Sequence, residues 1–223
     1  MSAINAAATT FTTIITIYLG LAPQWLKSAF SNYGIKVIEI GALDVLPTPV
    51  AHHIDLMCCG GYIAKEIEGK LPGKPIKQNL GNVYPLDVPL NAAIVGEYII
   101  CNPDTVAPEL LELGLKLIPV KQGYTKCSTL VIDETHIITE DESIYEATKD
   151  ILNVLFIEKG HVFLEGYDYG FIGGASAVIG DTVFFFGNIE KHPDFKKIKA
   201  FSPKRIISLS EKEKLIDIGG VWY

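Results

Sequence analysis

The chain has 223 residues, 48% of them hydrophobic and 20% charged, with 26 acidic against 19 basic side chains and a formal net charge of −7. That mix suits one globular domain with a proper core, spanning residues 1–223, and excludes a disordered chain. It also argues against a nucleic-acid partner, because no basic face is clustered along the sequence.

In chain order, the first expected elements are a strand over Thr13–Tyr18, a helix from Pro23 to Tyr33 stopped by Gly34, and a strand over Lys36–Ile40. The apolar run Ile14–Ala22 is too short to span a bilayer, and no Lys or Arg precedes it as a signal peptide would require. A cytoplasmic protein with free thiols is therefore expected at Cys58, Cys59, Cys101 and Cys127, whose spacings match no zinc template. A metal set of His52, His53, Asp55 and Cys58 fits no justified pattern either, so no metal or cofactor is expected. The segment His53–Val88 comes next. Its middle, Lys65–Asn82, holds two Pro and three Gly where a helix would stand, which predicts an irregular loop.

A regular order then appears three times. Ala92–Val95 and Tyr98–Cys101 read as paired strands, Asp104 as the cap of a helix carrying Val106, Leu110, Leu111 and Leu113, and Leu115–Val120 as a third strand. Ser128–Ile132 and His136–Thr139 repeat the pair. A helix capped by Asp141 or Ser143 and a strand over Val154–Ile157 follow. Ala177–Ile179 and Thr182–Phe186 repeat it again, with a helix opened by Pro193 and a strand over Arg205–Leu209. Leu215–Tyr223 remains as a spare strand.

These units are five strand–strand–helix–strand modules of roughly 45 residues each, one of them irregular. A plain doubly wound sheet would alternate single strands with helices, whereas here each helix follows two strands joined by a tight turn. The first module lacks its first strand, and the spare C-terminal strand can supply it and close a ring. The expected fold is thus an α/β propeller of five pseudosymmetric modules. In such a ring the starts of the first strands converge on the axis. They carry His53 and Asp55, Asp87 and Asn91, Lys126 and Cys127, Asp168 and Ser176, and Asp217. A thiol, an imidazole and several carboxylates are the ingredients of nucleophilic catalysis on a cation: Cys127 and His53 for the chemistry, with Asp55, Asn91, Lys126, Asp168, Ser176 and Asp217 as binding groups. Lys126 is expected to favour the thiolate, and Tyr167, Asp168 and Tyr169 to form an aromatic, acidic pocket for a cation.

At this point His53-Ile54-Asp55 resembles the HxD motif of arginine and agmatine deiminases, and Gly123–Thr129, reading GYTKCST, resembles the segment around their nucleophilic cysteine. The chain from about His53 to Tyr223 is similar to the pentein (guanidino-group-modifying) superfamily, most like a bacterial branch that names no substrate. The resemblance implies attack of Cys127 on a guanidine or amidine carbon, with His53 as general acid/base and Asp55 gripping the cation. The partner implied is a small guanidino or amidino compound. Two registers stay open. Family members place the cysteine in the last module, where this chain reads Gly173-Gly174-Ala175-Ser176. Ala175 there replaces the Asp of the dimethylargininase stretch. In that register the chain is a catalytically inactive domain that binds a small cation or a protein partner; with the modules shifted by one, His53 and Cys127 form an intact pair.

Overall fold

The computed structural model describes residues 14–223. Thr13, at the head of the expected first strand, lies outside the described residues. The chain begins with β1 (Ile15–Leu19), α1 (Gln24–Asn32) and β2 (Ile35–Glu39). Pro23 stands before α1, where its missing N–H has no partner to lose, and Leu26 and Phe30, one helical turn apart, form the buried face.

Four three-stranded sheets follow: β3 (Cys58–Cys59), β4 (Tyr62–Ile63) and β5 (Lys74–Pro75); β6 (Ala93–Val95), β7 (Tyr98–Cys101) and β8 (Lys116–Pro119); β9 (Thr129–Val131), β10 (His136–Thr139) and β11 (Asn153–Phe156); β12 (Ser176–Ile179), β13 (Thr182–Phe185) and β14 (Arg205–Ser208). In each, the middle strand pairs antiparallel with the first and parallel with the third. A tight hairpin suffices for the first pairing, and the parallel one needs a crossover. Gly60 and Gly61, both at positive φ, make the β3–β4 turn, while Asp133 makes the β9–β10 turn without glycine by accepting the amides of Thr135 and His136 at 2.8 Å each.

The crossovers are α2 (Pro108–Leu111), α3 (Glu142–Thr148) and α4 (Phe195–Phe201). Asp141 caps α3 through Ile144 N at 3.0 Å. Asp104 does not cap α2, which starts four residues later at Pro108. Instead, the Asp104 amide bonds the Asn102 side chain at 3.0 Å. The stretch expected as a loop over Lys65–Asn82 contains a 3₁₀ turn at Lys65–Ile67 and the short β5, so this sheet has a single turn where the others have a helix.

The C-terminal segment is not a continuous strand. It makes two isolated bridges, Tyr18 with Trp222 (antiparallel) and Phe163 with Ile216 (parallel). Gly219 and Gly220, at φ +78° and +68°, interrupt the extended backbone between them. The Tyr18–Trp222 bridge, with mutual N–H···O bonds of 2.7 and 2.8 Å, gives β1 its antiparallel partner and so completes the pattern of the other sheets.

The core is divided between successive sheets. Ala93, Val95 and Ile100 pack with Ile137 and Ile144; Leu130 and Ile138 pack with Val183, Phe185 and Ile198; Phe184 and Phe186 pack with Ile17, Leu26 and Phe30. The last of these joins the final sheet to the first, with ring centroids of Phe30 and Phe184 at 5.9 Å. Around β3–β5, the core draws instead on the flanking segments from Ile40 to Leu110. No helix among the described residues is long and apolar enough to cross a membrane.

Candidate active site

Each functional side chain sits just ahead of a first strand, or at its start. His53 precedes the short turn Ile54–Leu56 ahead of β3 and Asp55 lies within it, Asn91 precedes β6, Cys127 precedes β9, and Asp217 lies in the C-terminal segment. All five are buried. The Cys127 thiol donates to Asp55 Oδ2 at 3.0 Å and accepts from Asn91 Nδ2 at 3.1 Å. Asn91 Nδ2 also donates to the Asp55 carbonyl at 2.9 Å, and its Oδ1 accepts the amides of Lys126 (2.7 Å) and Cys127 (3.2 Å). One amide side chain thus holds both the thiol and the main chain of Asp55 beside it.

His53 Nδ1 lies 3.7 Å from Asp217 Oδ1, and among the described residues neither ring nitrogen makes a hydrogen bond. Ligand atoms of His53, Asp55 and Cys127 all lie within 4.8 Å of one another, so this trio could also hold a metal ion; it is the one such group among the described residues. The set differs from His52, His53, Asp55 and Cys58 in taking the distant thiol rather than the near one.

Asp217 accepts Phe171 N through Oδ2 and Gly219 N through Oδ1, both at 2.9 Å. The amides of Gly173 and Gly174 bond the Cys127 carbonyl at 2.8 and 3.2 Å. A Cβ on Gly173 would lie 2.3 Å from the Lys126 carbonyl, and one on Gly174 would lie 1.9 Å from Asp217 Oδ1. The Gly-Gly pair is therefore a close-approach device that lets this loop clamp Cys127 against Asp217.

Burial dominates the electrostatics. Desolvation, with Asp55 and Asp217 nearby, pushes the Cys127 thiol well above its ordinary value. The expected thiolate-favouring influence of Lys126 is thus outweighed by two carboxylates and a dry environment. Desolvation takes His53 down to about 3, so its ring is neutral. It raises Asp55 to about 7, with Asp217 adding to the rise, and Asp217 itself to about 6 against its backbone hydrogen bonds.

His53, Cys127 and Asp217 line a cavity of about 250 Å³ whose walls include Tyr124, Tyr169 and Phe171, with the exposed Asp168 at its rim. The Tyr124 hydroxyl donates to buried Asp87, and the Tyr124 ring stacks on Phe171 at 6.3 Å. Asp55, Lys126 and Ser176 line a second cavity instead, and the Ser176 hydroxyl is already engaged with the Ile172 carbonyl at 2.8 Å. The structure therefore places the expected site residues on two cavities, with Asn91 tying them together.

Residues 21–222 match a family described as a family of unknown function (DUF6873). The chain belongs to that family. No curated protein matches it. This DUF6873 chain is similar in fold to a solved structure of DDAH from Pseudomonas aeruginosa, a Cys-to-Ser mutant complexed with citrulline. Identity is 11%, coverage 91% of this chain and 95% of that one, and the TM-score 0.56. At this identity the likeness is one of fold.

Two features of the DUF6873 site escape a reading of the sequence. Buried Glu140 accepts Ile172 N at 2.9 Å, and desolvation pushes it up to about 8. The stacked Tyr124–Phe171 wall joins residues 47 positions apart, which no local pattern reveals. A carboxylate directly after the strand β10 is the available signal for Glu140.

Proposed function

We propose that this chain is a five-module α/β propeller of the pentein kind that hydrolyses a C–N bond of a small guanidino or amidino compound in the cytoplasm. The observation that carries the reading is the convergence of His53, Asp55 and Cys127 within 4.8 Å beside a cavity bearing Asp217 and rimmed by Asp168. The two central residues are 74 positions apart, and a purely structural thiol has no need of that company. The cyclic order of the cores and the Tyr18–Trp222 bridge favour ring closure.

The resting site is tuned for a cation. Cys127 and His53 are neutral, and Asp55 and Asp217 raise the cost of forming a thiolate. A guanidinium placed beside these carboxylates offsets their charge and lowers that cost, so the nucleophile is activated only when substrate is bound. As Cys127 Sγ bonds the guanidine carbon, its proton passes to His53. The imidazolium then protonates the departing amine as the C–N bond breaks, leaving an S-amidino adduct. His53 takes a proton from water attacking that carbon, and the C–S bond breaks to release a urea-type product and the regenerated thiol.

A second reading is an inactive domain that binds the same cation. It is favoured by the lack, among the described residues, of any hydrogen bond to orient the His53 ring. Brief exposure to 2-chloroacetamidine with mass-spectrometric mapping of thiols separates the two. Selective alkylation of Cys127, lost in His53→Ala, supports the enzyme. Equal, slow labelling of all four cysteines would remove it in favour of the binder.

A further inference from the structure

The second cavity, of about 360 Å³, has a construction of its own. Its wall draws on every sheet, through residues such as Cys59 of β3, Ile94 of β6, Leu130 of β9, Val178 of β12, and Trp222, which bridges to β1. It is therefore a funnel framed by the whole set of first strands, and it shares no lining residue with the cavity at His53 and Tyr124. The volume falls within the roughly 300–1,000 Å³ typical of ligand pockets, and mostly apolar walls with few polar groups are the usual make-up of such sites.

Two charged side chains reach this cavity, Asp55 and Lys126. Asp55 Oδ2 is already occupied by the Cys127 thiol. Lys126 Nζ is not: its one hydrogen bond is a long one, 3.5 Å to the Gly173 carbonyl, and among the described residues it forms no ion pair. A half-buried ammonium held in an apolar funnel gains more from an anion than an exposed lysine does, because water competes less.

We infer that this funnel is a second binding site, which takes a small monocarboxylate with an apolar or aromatic tail, its carboxylate on Lys126 and its tail against the strand walls and Trp222. The site is distinct from the cavity at His53 and does not depend on turnover at Cys127. Its ligand has the opposite charge to that proposed for the other cavity, so the two sites are told apart by charge alone.

The chain has two tryptophans, Trp25 and Trp222, so Trp25→Phe leaves a single fluorophore on the funnel wall. Benzoate titrated into Trp25→Phe protein is expected to give a saturable change in emission. Added Lys126→Met should weaken binding by about tenfold or more, the loss expected for a charge-assisted contact. Neutral benzamide should bind less tightly than benzoate, and Asp168→Asn, on the other cavity, should leave benzoate affinity unchanged. Where Lys126→Met does not fold by circular dichroism, Val178→Phe fills the funnel from its wall and should abolish the response. Absence of a saturable change, equal affinity for benzamide, or full affinity in Lys126→Met or Val178→Phe would overturn the site.

Discussion

Strands β12–β14 and β3–β5 follow one plan and differ in what they carry. The former are four residues each, span a helix crossover, and bury Val183, Phe184, Phe185 and Ile198. The latter are two residues each, cross over by a single 3₁₀ turn, and leave both residues of β5 exposed. Yet the short sheet is the one preceded by His53 and Asp55, while the long one starts with Ser176, whose hydroxyl serves only the backbone. In a repeated architecture the packing and the chemistry need not fall in the same repeat. The module that carries His53 and Asp55, with the unpaired His53 ring nitrogens and Asp55 Oδ1, is held by flanking segments rather than by its own helix.

If that division is right, variants at the two places fail in different ways. The largest effect is expected at Cys127→Ser: guanidine hydrolysis and haloacetamidine labelling should fall by several orders of magnitude. The urea midpoint should hold, because a hydroxyl can keep both the bond to Asp55 and that from Asn91. A large loss of stability instead would make Cys127 a packing residue and break the comparison. Phe185→Ala, fully buried in β13, should cost about 3–5 kcal/mol by chemical denaturation. Lys74→Ala in exposed β5 should stay within about 0.5 kcal/mol.

The regular modules are legible because their signals are local. Alternating apolar residues, a turn at Gly96 or Gly180, and a polar cap at Asp141 each act within a few residues, and β7 and β10 fall where the pattern puts them. Convergence of His53, Asp55, Asn91 and Cys127 is also readable once the repeat is seen, since equivalent positions share an environment. What is not readable is the side of the sheet that a polar atom faces. Lys126 and Cys127 are adjacent, yet Lys126 lines one cavity and Cys127 the other. Nor does sequence give burial, which turns Cys127 from the thiolate Lys126 would favour into a protonated thiol. The C-terminal segment reads as a strand from its apolar residues, and only the positive φ at Gly219 and Gly220 limits it to bridges.

The buried carboxyls sharpen the contrast through pH. Asp55 at about 7 and Glu140 at about 8 hold protons that their unfolded counterparts, near 3.8 and 4.5, have already lost. At these two carboxyls the folded state therefore binds more protons from about pH 4 up to about pH 8, and stability falls as pH rises through both folded values. The histidines His52 and His53, depressed to about 4 and 3, are neutral in the folded state between about pH 6.5 and 8.5; unfolded, from the ordinary value of 6.5, they are half protonated at the lower end of that window and neutral by its upper end, so they offset only the first part of the drop. Urea midpoints should drop between pH 6.5 and 8.5. Asp55→Asn and Glu140→Gln should each flatten the drop, whereas a profile unchanged in both variants would mean that neither carboxyl is protonated in the folded protein.

A change of about 1 kcal/mol at a helix cap tests whether the two regions are independent at all. Asp141 caps α3 through Ile144 N, and Asp141→Ala should cost about 1 kcal/mol, the usual loss at such a cap. The same carboxylate also accepts Gln122 Nε2 at 2.9 Å, and Gln122 Oε1 accepts Tyr124 N at 3.0 Å, which leads to the aromatic wall of the His53–Cys127 cavity. Asn91 fixes the thiol without help from this chain of contacts. Loss of the cap should accordingly lower the denaturation midpoint while leaving the rate of Cys127 alkylation unchanged. A fall in that rate as large as the one in His53→Ala would show the Gln122–Tyr124 link to be part of the site, and the separation of packing from chemistry would then stop at α3.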